Sequence, residues 1–524
     1  MSDADVNRRG RSLALGAAIL MAGFVASRAL GLVRTMVISG RFGDSAEYQA
    51  YVAAIRIPDT LFQVLAGGAV AAAFIPVFAG YSARGETDNG WRLASSVITI
   101  AALVMTPVSL LLMLLAPQLM ALLAPGWDEP RQQLAGSLAR ILLISPVIFA
   151  ISTFVTSILN SFSRFLLASL APVVYNLSII FGALFLAEPL GIYGLAIGAA
   201  AGALLHLLVQ LPGLFHLGMR FRPMLNLADE GVREVGRLMV PRALALGVVQ
   251  ASYLVNITLA SELEEGSLAY LDYAWLLMML PLGVFAMAIS TAVFPTMAAH
   301  GALDRMDELR ETFLSSLRLI LYLTIPCSVG LLLLGEPIVR LLLERGSFTP
   351  EATRATAYAL AFYALGLGGH ATIEIVNRVF YALHDTKTPV IVAAGAFLLN
   401  VSASLVLMQY LSFGGLALGN ALAGLTEAAF LVLLLGRRGL GIQFRSLVFP
   451  VVVFGVWAIA QGLVAAAVAD YLRVVVDVST LPGQMAQVLL SVGAGAAVYA
   501  GLSYAMRSRE LMLVAGNLRA RLGR

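Results

Sequence analysis

Four charged residues lie inside the first two long apolar runs of the chain. Arg28 and Arg34 belong to the first run, and Arg56 and Asp59 belong to the second. Charge inside a membrane span is costly, so each such residue is a functional hypothesis by default. Three guanidinium groups beside one carboxylate suit an anion, and phosphate best, because the planar guanidinium binds phosphate bidentately. We therefore predict that the three arginines line a cationic, water-filled cavity, with Asp59 in support.

The sequence leaves simpler roles open for two of these arginines. Arg34 is near the end of its apolar run, where a long side chain can reach the membrane interface. Arg56 and Asp59 are three residues apart, which is the spacing of an ion pair on one helical turn. Arg28 is mid-span and is the strongest candidate of the three.

A second charged pair lies in the other half of the chain. Glu374 and Arg378 are four residues apart, in the favourable order for an ion pair along a helix. We expect a pair that holds its own helix, and we keep a supporting role in the cavity as the alternative.

The composition decides the class of protein. Of the 524 residues, 60% are hydrophobic and 12% are charged, and the mean hydropathy is +0.88. A soluble domain averages about 45–50% apolar and about 25% charged residues. These values exclude a soluble enzyme, a secreted disulfide scaffold, a disordered chain and a nucleic-acid binder. They indicate a protein that crosses the membrane many times.

Apolar segments separated by short polar loops run from end to end. Each is long enough for a membrane helix, and none alternates as a barrel strand would. We predict an all-α polytopic membrane protein with about 14 transmembrane helices. The predicted spans are 12–39, 48–80, 93–123, 134–160, 166–187, 190–217, 235–261, 267–299, 313–335, 352–382, 388–409, 413–436, 446–470 and 484–506.

Four separate patterns recur about 220 residues apart, which indicates an internal repeat. Pro172 and Pro389, for example, each lie near the start of a span that carries an asparagine downstream, Asn176 or Asn400. The other pairs are GIYGLAIG at 191–198 with SFGGLALG at 412–419, AAFIPVFAGYS at 72–82 with TAVFPTMAAHG at 291–301, and LLAPGW at 122–127 with LLERGSF at 342–348.

An offset of six helices is even, so the two halves have the same orientation in the membrane. Such a parallel repeat is typical of transporters, in which two bundles move around a site near the midplane. We predict an N-lobe at 12–217 (helices 1–6) and a C-lobe at 218–436 (helices 7–12). Helices 13 and 14, within 437–506, fall outside the repeat.

Arginine is concentrated in the loops on one side, the side of the N-terminus. The positive-inside rule places this side in the cytoplasm. The tails at 1–11 and 507–524 are therefore both expected to be cytoplasmic, in agreement with an even number of spans.

Motifs of enzymes, metals and cofactors are missing from the sequence. There is no P-loop, HExxH or GxSxG motif and no carboxylate cluster. Cys327 is the only cysteine and the five histidines are scattered, so no metal site is expected. We predict that the protein is not an enzyme and uses no cofactor, and that its transport is driven by the membrane potential or by an ion gradient.

Longer motifs carry a family resemblance over nearly the whole chain. The chain resembles the MurJ (MviN) family of lipid II flippases, in the superfamily that also holds multidrug exporters and polysaccharide-unit flippases. The motifs are SRALGLVRTMVISGRFG at 27–43, IRIPDTL at 55–61, GGAVAAAFIPVFAGYSARGE at 67–86, LLAPGW at 122–127, ILNSFSRFLLASLAPVVYN at 158–176, LLERGSFT at 342–349 and NRVFYALHDTKTP at 377–389.

The resemblance implies a substrate and a direction of transport. Such proteins move lipid II, an undecaprenyl-pyrophosphate-linked disaccharide-pentapeptide, from the inner to the outer leaflet of the bacterial inner membrane for cell-wall synthesis. Arg28, Arg34 and Arg56 match basic positions of the family's central cavity, which takes the pyrophosphate. Helices 13 and 14 would form a groove for the lipid tail. Expected partners are lipid II, membrane lipids and proteins of cell-wall synthesis or division.

Some charged positions of the family are occupied by other residues here. Family arginines correspond to Phe62 and Leu276, and a family glutamate corresponds to Gly67. Two alternative functions therefore stay open. One is a flippase for another undecaprenyl-linked glycan, or a drug exporter. The other is a membrane scaffold that docks cell-wall or division proteins without transporting anything.

The predicted topology can be tested by thiol labelling in intact cells. With Cys327 replaced by serine, single cysteines at Ser2 and Asp304 should resist a membrane-impermeant thiol reagent, because both positions are expected inside. A cysteine at Ser347 should be labelled, because its loop is expected outside. Labelling at Ser2 would overturn the orientation.

Overall fold

The computed structural model describes residues 23, 25–65, 68–219, 221–441 and 444–512. Within these ranges the chain is helical and has no β-strand. The predicted N-terminal tail, the start of the first span, Ser2 and Gly67 lie outside the described residues, as does the C-terminal tail from residue 513.

Twenty α-helices, three of them continued by a short π-helix, are found in the described part of the chain. The first eleven are α1 (25–42), α2 (Ala46–Leu65), α3 (Gly68–Ala83), α4 (Thr87–Leu123), α5 (Glu129–Leu142), α6 (Ser145–Ser161), α7 (Phe165–Phe181), α8 (Ala187–Leu190), α9 (Ile192–Leu208), α10 (Leu211–His216) and α11 (Glu230–Ser261). The others are α12 (Ser267–Pro281), α13 (Ala288–Ala302), α14 (Met306–Leu333), α15 (Gly335–Leu343), α16 (Pro350–Ala382), α17 (Lys387–Leu411), α18 (Phe413–Leu435), α19 (Phe444–Val475) and α20 (Leu481–Ala505). The π-helices are Gly182–Leu186, Leu282–Met287 and Gly436–Leu440.

Eleven helical segments of the described chain are long and apolar enough to cross a membrane. The all-α polytopic membrane fold is therefore confirmed. Three further predicted spans correspond to α1, to α2 with α3, and to α11, and the total of about 14 stays a prediction. The eleven segments are Thr87–Leu123, Glu129–Ser161, Phe165–Leu190, Ile192–His216, Ser267–Ala302, Met306–Leu333, Pro350–Ala382, Lys387–Leu411, Phe413–Arg438, Leu447–Val475 and Leu481–Ala505.

The repeat is also visible in the backbone, at residues with left-handed φ angles. Such residues recur in pairs about 220 positions apart, at corresponding turns of the two halves. The pairs are Gly43 and Gly266, Gly85 and Asp304, Ser163 and His384, Gly191 and Ser412, and Gly218 and Gly441. Because L-residues rarely adopt these angles, shared positions of this kind indicate that the two halves use the same turns.

The chain divides into two compact units. The first comprises residues 1–262 with 345–348, and the second comprises 263–344 with 349–524. The predicted lobes at 12–217 and 218–436 stay predictions.

Aromatic packing between α3, α4 and α6 forms the core of the first unit. Phe74 stacks on Phe78 with ring centroids 5.2 Å apart and meets Phe154 edge-on at 5.4 Å. All three rings are buried. Helix α11 packs against α2, α3 and α4, and thereby places its own side chains beside those of α2.

Helix α16 forms the centre of the second unit and packs against α12, α13, α14 and α18. Helices α19 and α20 pack on each other, and hydroxyl groups tie α20 to α14. The Tyr499 hydroxyl donates to the Tyr322 carbonyl at 2.9 Å, and the Tyr322 hydroxyl donates to Ser503 Oγ at 3.0 Å. The predicted groove for a lipid tail along these two helices stays a prediction.

The HDTKTP segment connects α16 to α17 and fixes the start of α17. Asp385 Oδ1 accepts from the backbone amides of Lys387 and Thr388 at 3.0 Å each, and Oδ2 forms an ion pair with Arg438. Partial burial raises the pKa of Asp385, but the hydrogen bonds from Thr388 and Lys387 and the charge of Arg438 outweigh it and hold the pKa below its usual value. The ionised carboxylate thus joins the α16–α17 turn to the end of α18.

One turn of the repeat offers a matched test of backbone strain. Gly191 has φ 55° and ψ −140°, and Ser412 has nearly the same angles, φ 49° and ψ −134°. Only glycine adopts this region at low cost, and another residue pays about 1–3 kcal/mol.

We expect Ser412→Gly to raise the melting temperature in detergent and Gly191→Ala to lower it. No other group lies within 4 Å of a Cβ added at Gly191, so a clash would not explain the loss. Unchanged melting temperatures in both variants would contradict this account.

Candidate anion-binding site

A hydrogen bond between α1 and α7 places the side chain of Arg34. Arg34 Nη1 donates to Asn176 Oδ1 at 3.1 Å. Arg34 is half-buried, and Asn176 is buried. In the described structure, Arg34 is therefore directed toward a partner inside the first unit.

Asn176 is itself held by the backbone around it. Its Nδ2 donates to the Pro172 carbonyl at 2.9 Å and reaches the carbonyl and Oγ of Ser27 at 3.5 Å. Pro172 lies inside α7 and has no N–H, so the helix has one backbone hydrogen bond fewer at this turn. The amide of Asn176 thus connects α7 to α1 one turn after the proline.

Arg28 lies six residues before Arg34, on a different face of α1, and it is exposed. At 100° per residue, six positions correspond to about 240° around the helix. The side chains of Arg28 and Arg34 therefore leave α1 in different directions.

Arg56 lies over an aromatic ring of α11. Its Cζ is 5.3 Å from the ring centroid of Tyr253, within the range of a cation–π interaction. Such a contact orients the guanidinium group and leaves its charge in place. The ion pair expected between Arg56 and Asp59 stays a prediction.

Asp59 lines a shallow recess of the first unit together with aromatic side chains. The ring centroids of Phe62 and Phe149 are 5.4 Å apart, and the ring of Phe149 meets that of Tyr175 edge-on with a centroid distance of 5.2 Å. The recess thus places the predicted site residue Asp59 on the same lining as Tyr175.

Two positions at which the resemblance implies arginines, Phe62 and Leu276, carry apolar side chains. Phe62 contributes its ring to the recess beside Asp59. Leu276 is half-buried on α12, next to Trp275, whose ring packs edge-on against His370 at 5.7 Å. These two positions supply aromatic and aliphatic surface.

The predicted pair in the second unit does not form an ion pair. The charged groups of Glu374 and Arg378 do not come within the 4.0 Å limit of an ion pair, although the charge of Arg378 still acts on Glu374. The guanidinium carbon of Arg378 instead lies 5.5 Å from the ring centroid of Phe294 on α13. Arg378 thus packs on the ring of a neighbouring helix, and a supporting role for either residue stays a prediction.

No group of three or more histidine, cysteine, aspartate or glutamate side chains that could hold a metal ion occurs among the described residues. Arg34 uses one of its five N–H donors on a neutral amide. This arginine therefore retains the charge that an oxyanion would need.

Asn176, Tyr175 and Tyr253 were missed as members of the site by sequence reasoning. One signal was present, since Asn176 is a polar residue in an apolar run four positions after a proline. Its pairing with Arg34 spans 142 residues and depends on how α1 packs against α7.

The fold defines a polytopic helical membrane protein. A family model described as "Lipid II flippase MurJ" matches residues 38–491. The chain belongs to the MurJ family of lipid II flippases.

Relatives match this chain over most of both lengths. A probable lipid II flippase MurJ of Haemophilus influenzae is 32% identical over 422 residues, covering 77% of this chain and 82% of the relative. The lipid II flippase MurJ of Burkholderia cenocepacia is 31% identical over 434 residues, covering 81% and 84%.

Solved structures share the fold. A lipid II flippase MurJ in an inward closed conformation matches with a TM-score of 0.79 and 26% identity, over 94% of this chain and all of that one. A multidrug resistance MATE family transporter in an inward-facing conformation matches with a TM-score of 0.67 at 14% identity, over 79% and 94%. The second likeness concerns the fold alone.

Proposed function

We propose that this protein flips lipid II from the inner to the outer leaflet of the bacterial inner membrane, by alternating access and with both termini in the cytoplasm. The observation that carries the proposal is that Arg34, in a member of this family, is oriented by a neutral amide. This cationic position, which matches the family's cavity, thereby keeps its charge for the pyrophosphate of the substrate.

In this proposal the pyrophosphate bridges the arginines of α1 and α2. Arg34 and Arg56 are oriented in advance by Asn176 and Tyr253, so less side-chain entropy is lost when the anion binds. Arg28 is exposed and adds a third guanidinium fork to the phosphate oxygens.

The lipid tail follows α19 and α20, and the membrane potential or an ion gradient drives the cycle. Proteins of cell-wall synthesis or division are the proposed protein partners.

Depletion of the protein tests the substrate. Lipid-linked precursors are extracted from depleted cells and analysed by mass spectrometry. Accumulation of lipid II is the expected result. If another undecaprenyl-linked glycan accumulates instead, that glycan and not lipid II is the substrate. Division defects without any accumulated precursor would favour the scaffold alternative.

The arginines are tested by complementation in a strain that depends on this protein. Arg28→Ala should abolish growth. Protein level and membrane insertion should stay near normal, because the Arg28 side chain is exposed and its removal leaves no cavity in the core. Arg28→Lys should rescue only partly, because the ammonium group lacks the bidentate fork. Arg56→Ala should have a smaller effect, because part of the role of Arg56 is its contact with Tyr253.

Arg84→Ala is the matched control, because Arg84 is exposed and pairs with Glu86 in the α3–α4 turn. It should grow as the wild type does, since an exposed ion pair contributes little. Normal growth of Arg28→Ala would show that the cationic site is not used for transport.

A further inference from the structure

Asn176 is the side chain that holds Arg34 in place. Asn176 is only 6% exposed and connects three partners, Arg34, Pro172 and Ser27. A buried amide inside an apolar span requires partners for both its oxygen and its nitrogen. Here the partners belong to α1 and α7, and the partner Arg34 is an arginine of the proposed site.

The chemistry of the partners fixes the orientation of the amide. A guanidinium group can only donate hydrogen bonds, and a carbonyl oxygen can only accept them. Asn176 must therefore turn Oδ1 toward Arg34 and Nδ2 toward the Pro172 carbonyl, as the distances of 3.1 Å and 2.9 Å show. The amide cannot flip without breaking both hydrogen bonds.

We propose that Asn176 is a positioning residue, which orients Arg34 toward the phosphate groups of the substrate without neutralising its charge. This inference rests on the proposed function. A carboxylate at the same place would hold Arg34 at least as firmly, but it would cancel the charge that attracts the anion. A neutral acceptor is the group that supplies both orientation and an intact positive charge.

The proposal predicts a rank order that a purely structural role would not produce. Asn176→Asp keeps the side-chain volume and gains an ionic contact with Arg34, whereas Asn176→Ala loses the contact. If Asn176 only joined α7 to α1, the aspartate variant would work at least as well as the alanine variant. If Asn176 preserves the charge of Arg34, the aspartate variant must bind the anionic substrate more weakly than the alanine variant does.

The experiment measures binding of lipid II to the purified full-length protein in nanodiscs, with melting temperature recorded for every variant. We expect several-fold weaker binding for Asn176→Ala and at least about tenfold weaker binding for Asn176→Asp, as for the loss of a charged hydrogen bond. Undecaprenyl pyrophosphate serves as a second probe and should give the same order, because the effect acts on the pyrophosphate. The control is Asn400→Ala, which removes a second buried amide, on α17, and should leave the affinity unchanged.

A double-mutant cycle shows whether Asn176 acts through Arg34. In the Arg34→Ala background, Asn176→Ala should have no further effect on the affinity, because the group that Asn176 orients is gone. If Asn176→Asp does not fold, the cycle with Asn176→Ala decides the question. Full and additive effects of Asn176→Ala in that background would overturn the proposal.

The outcomes separate this inference from the function on which it rests. If the wild-type protein does not bind lipid II, the proposed function fails. If the wild type binds lipid II but Asn176→Asp binds it as tightly as Asn176→Ala or more tightly, only the positioning role fails.

Discussion

The protein must keep guanidinium groups charged inside an apolar bundle. Burying a charge is expensive unless it is solvated or hydrogen-bonded, and the simplest partner, a carboxylate, would remove the property for which the charge is present. The first unit meets this constraint at Arg34 with a neutral group. Arg34 donates to the amide of Asn176, and Arg56 lies over the ring of Tyr253.

The helices are arranged so that these neutral groups reach the arginines. Pro172 interrupts the hydrogen bonds of α7, and the side chain of Asn176 binds the carbonyl of the same proline while it reaches α1. Helix α11 packs along α2 and thereby places Tyr253 beside Arg56. The shared left-handed turns, such as Gly191 and Ser412, set where corresponding helices of the two halves begin and end.

The membrane class and most of the spans follow from composition and from continuous apolar runs, because a lipid-facing helix must be apolar over its whole length. The charged candidates Arg34 and Asp59 could also be read from the sequence, since charge stands out in an apolar run. Their partners could not, because Asn176 and Tyr253 are neutral residues of distant helices.

The expected pair of Glu374 and Arg378 failed for a related reason. Helical spacing cannot show that Phe294 of a neighbouring helix attracts the arginine.

The central claim, that the protein moves a lipid-linked pyrophosphate across the bilayer, is tested most directly with the purified protein in liposomes that contain fluorescent lipid II. A membrane-impermeant quencher reports how fast labelled lipid exchanges between the leaflets. The account predicts that the wild-type protein accelerates this exchange over protein-free liposomes under an imposed membrane potential or ion gradient, and that Arg34→Ala does not. Exchange in wild-type liposomes that is no faster than in protein-free liposomes under any imposed gradient would contradict it.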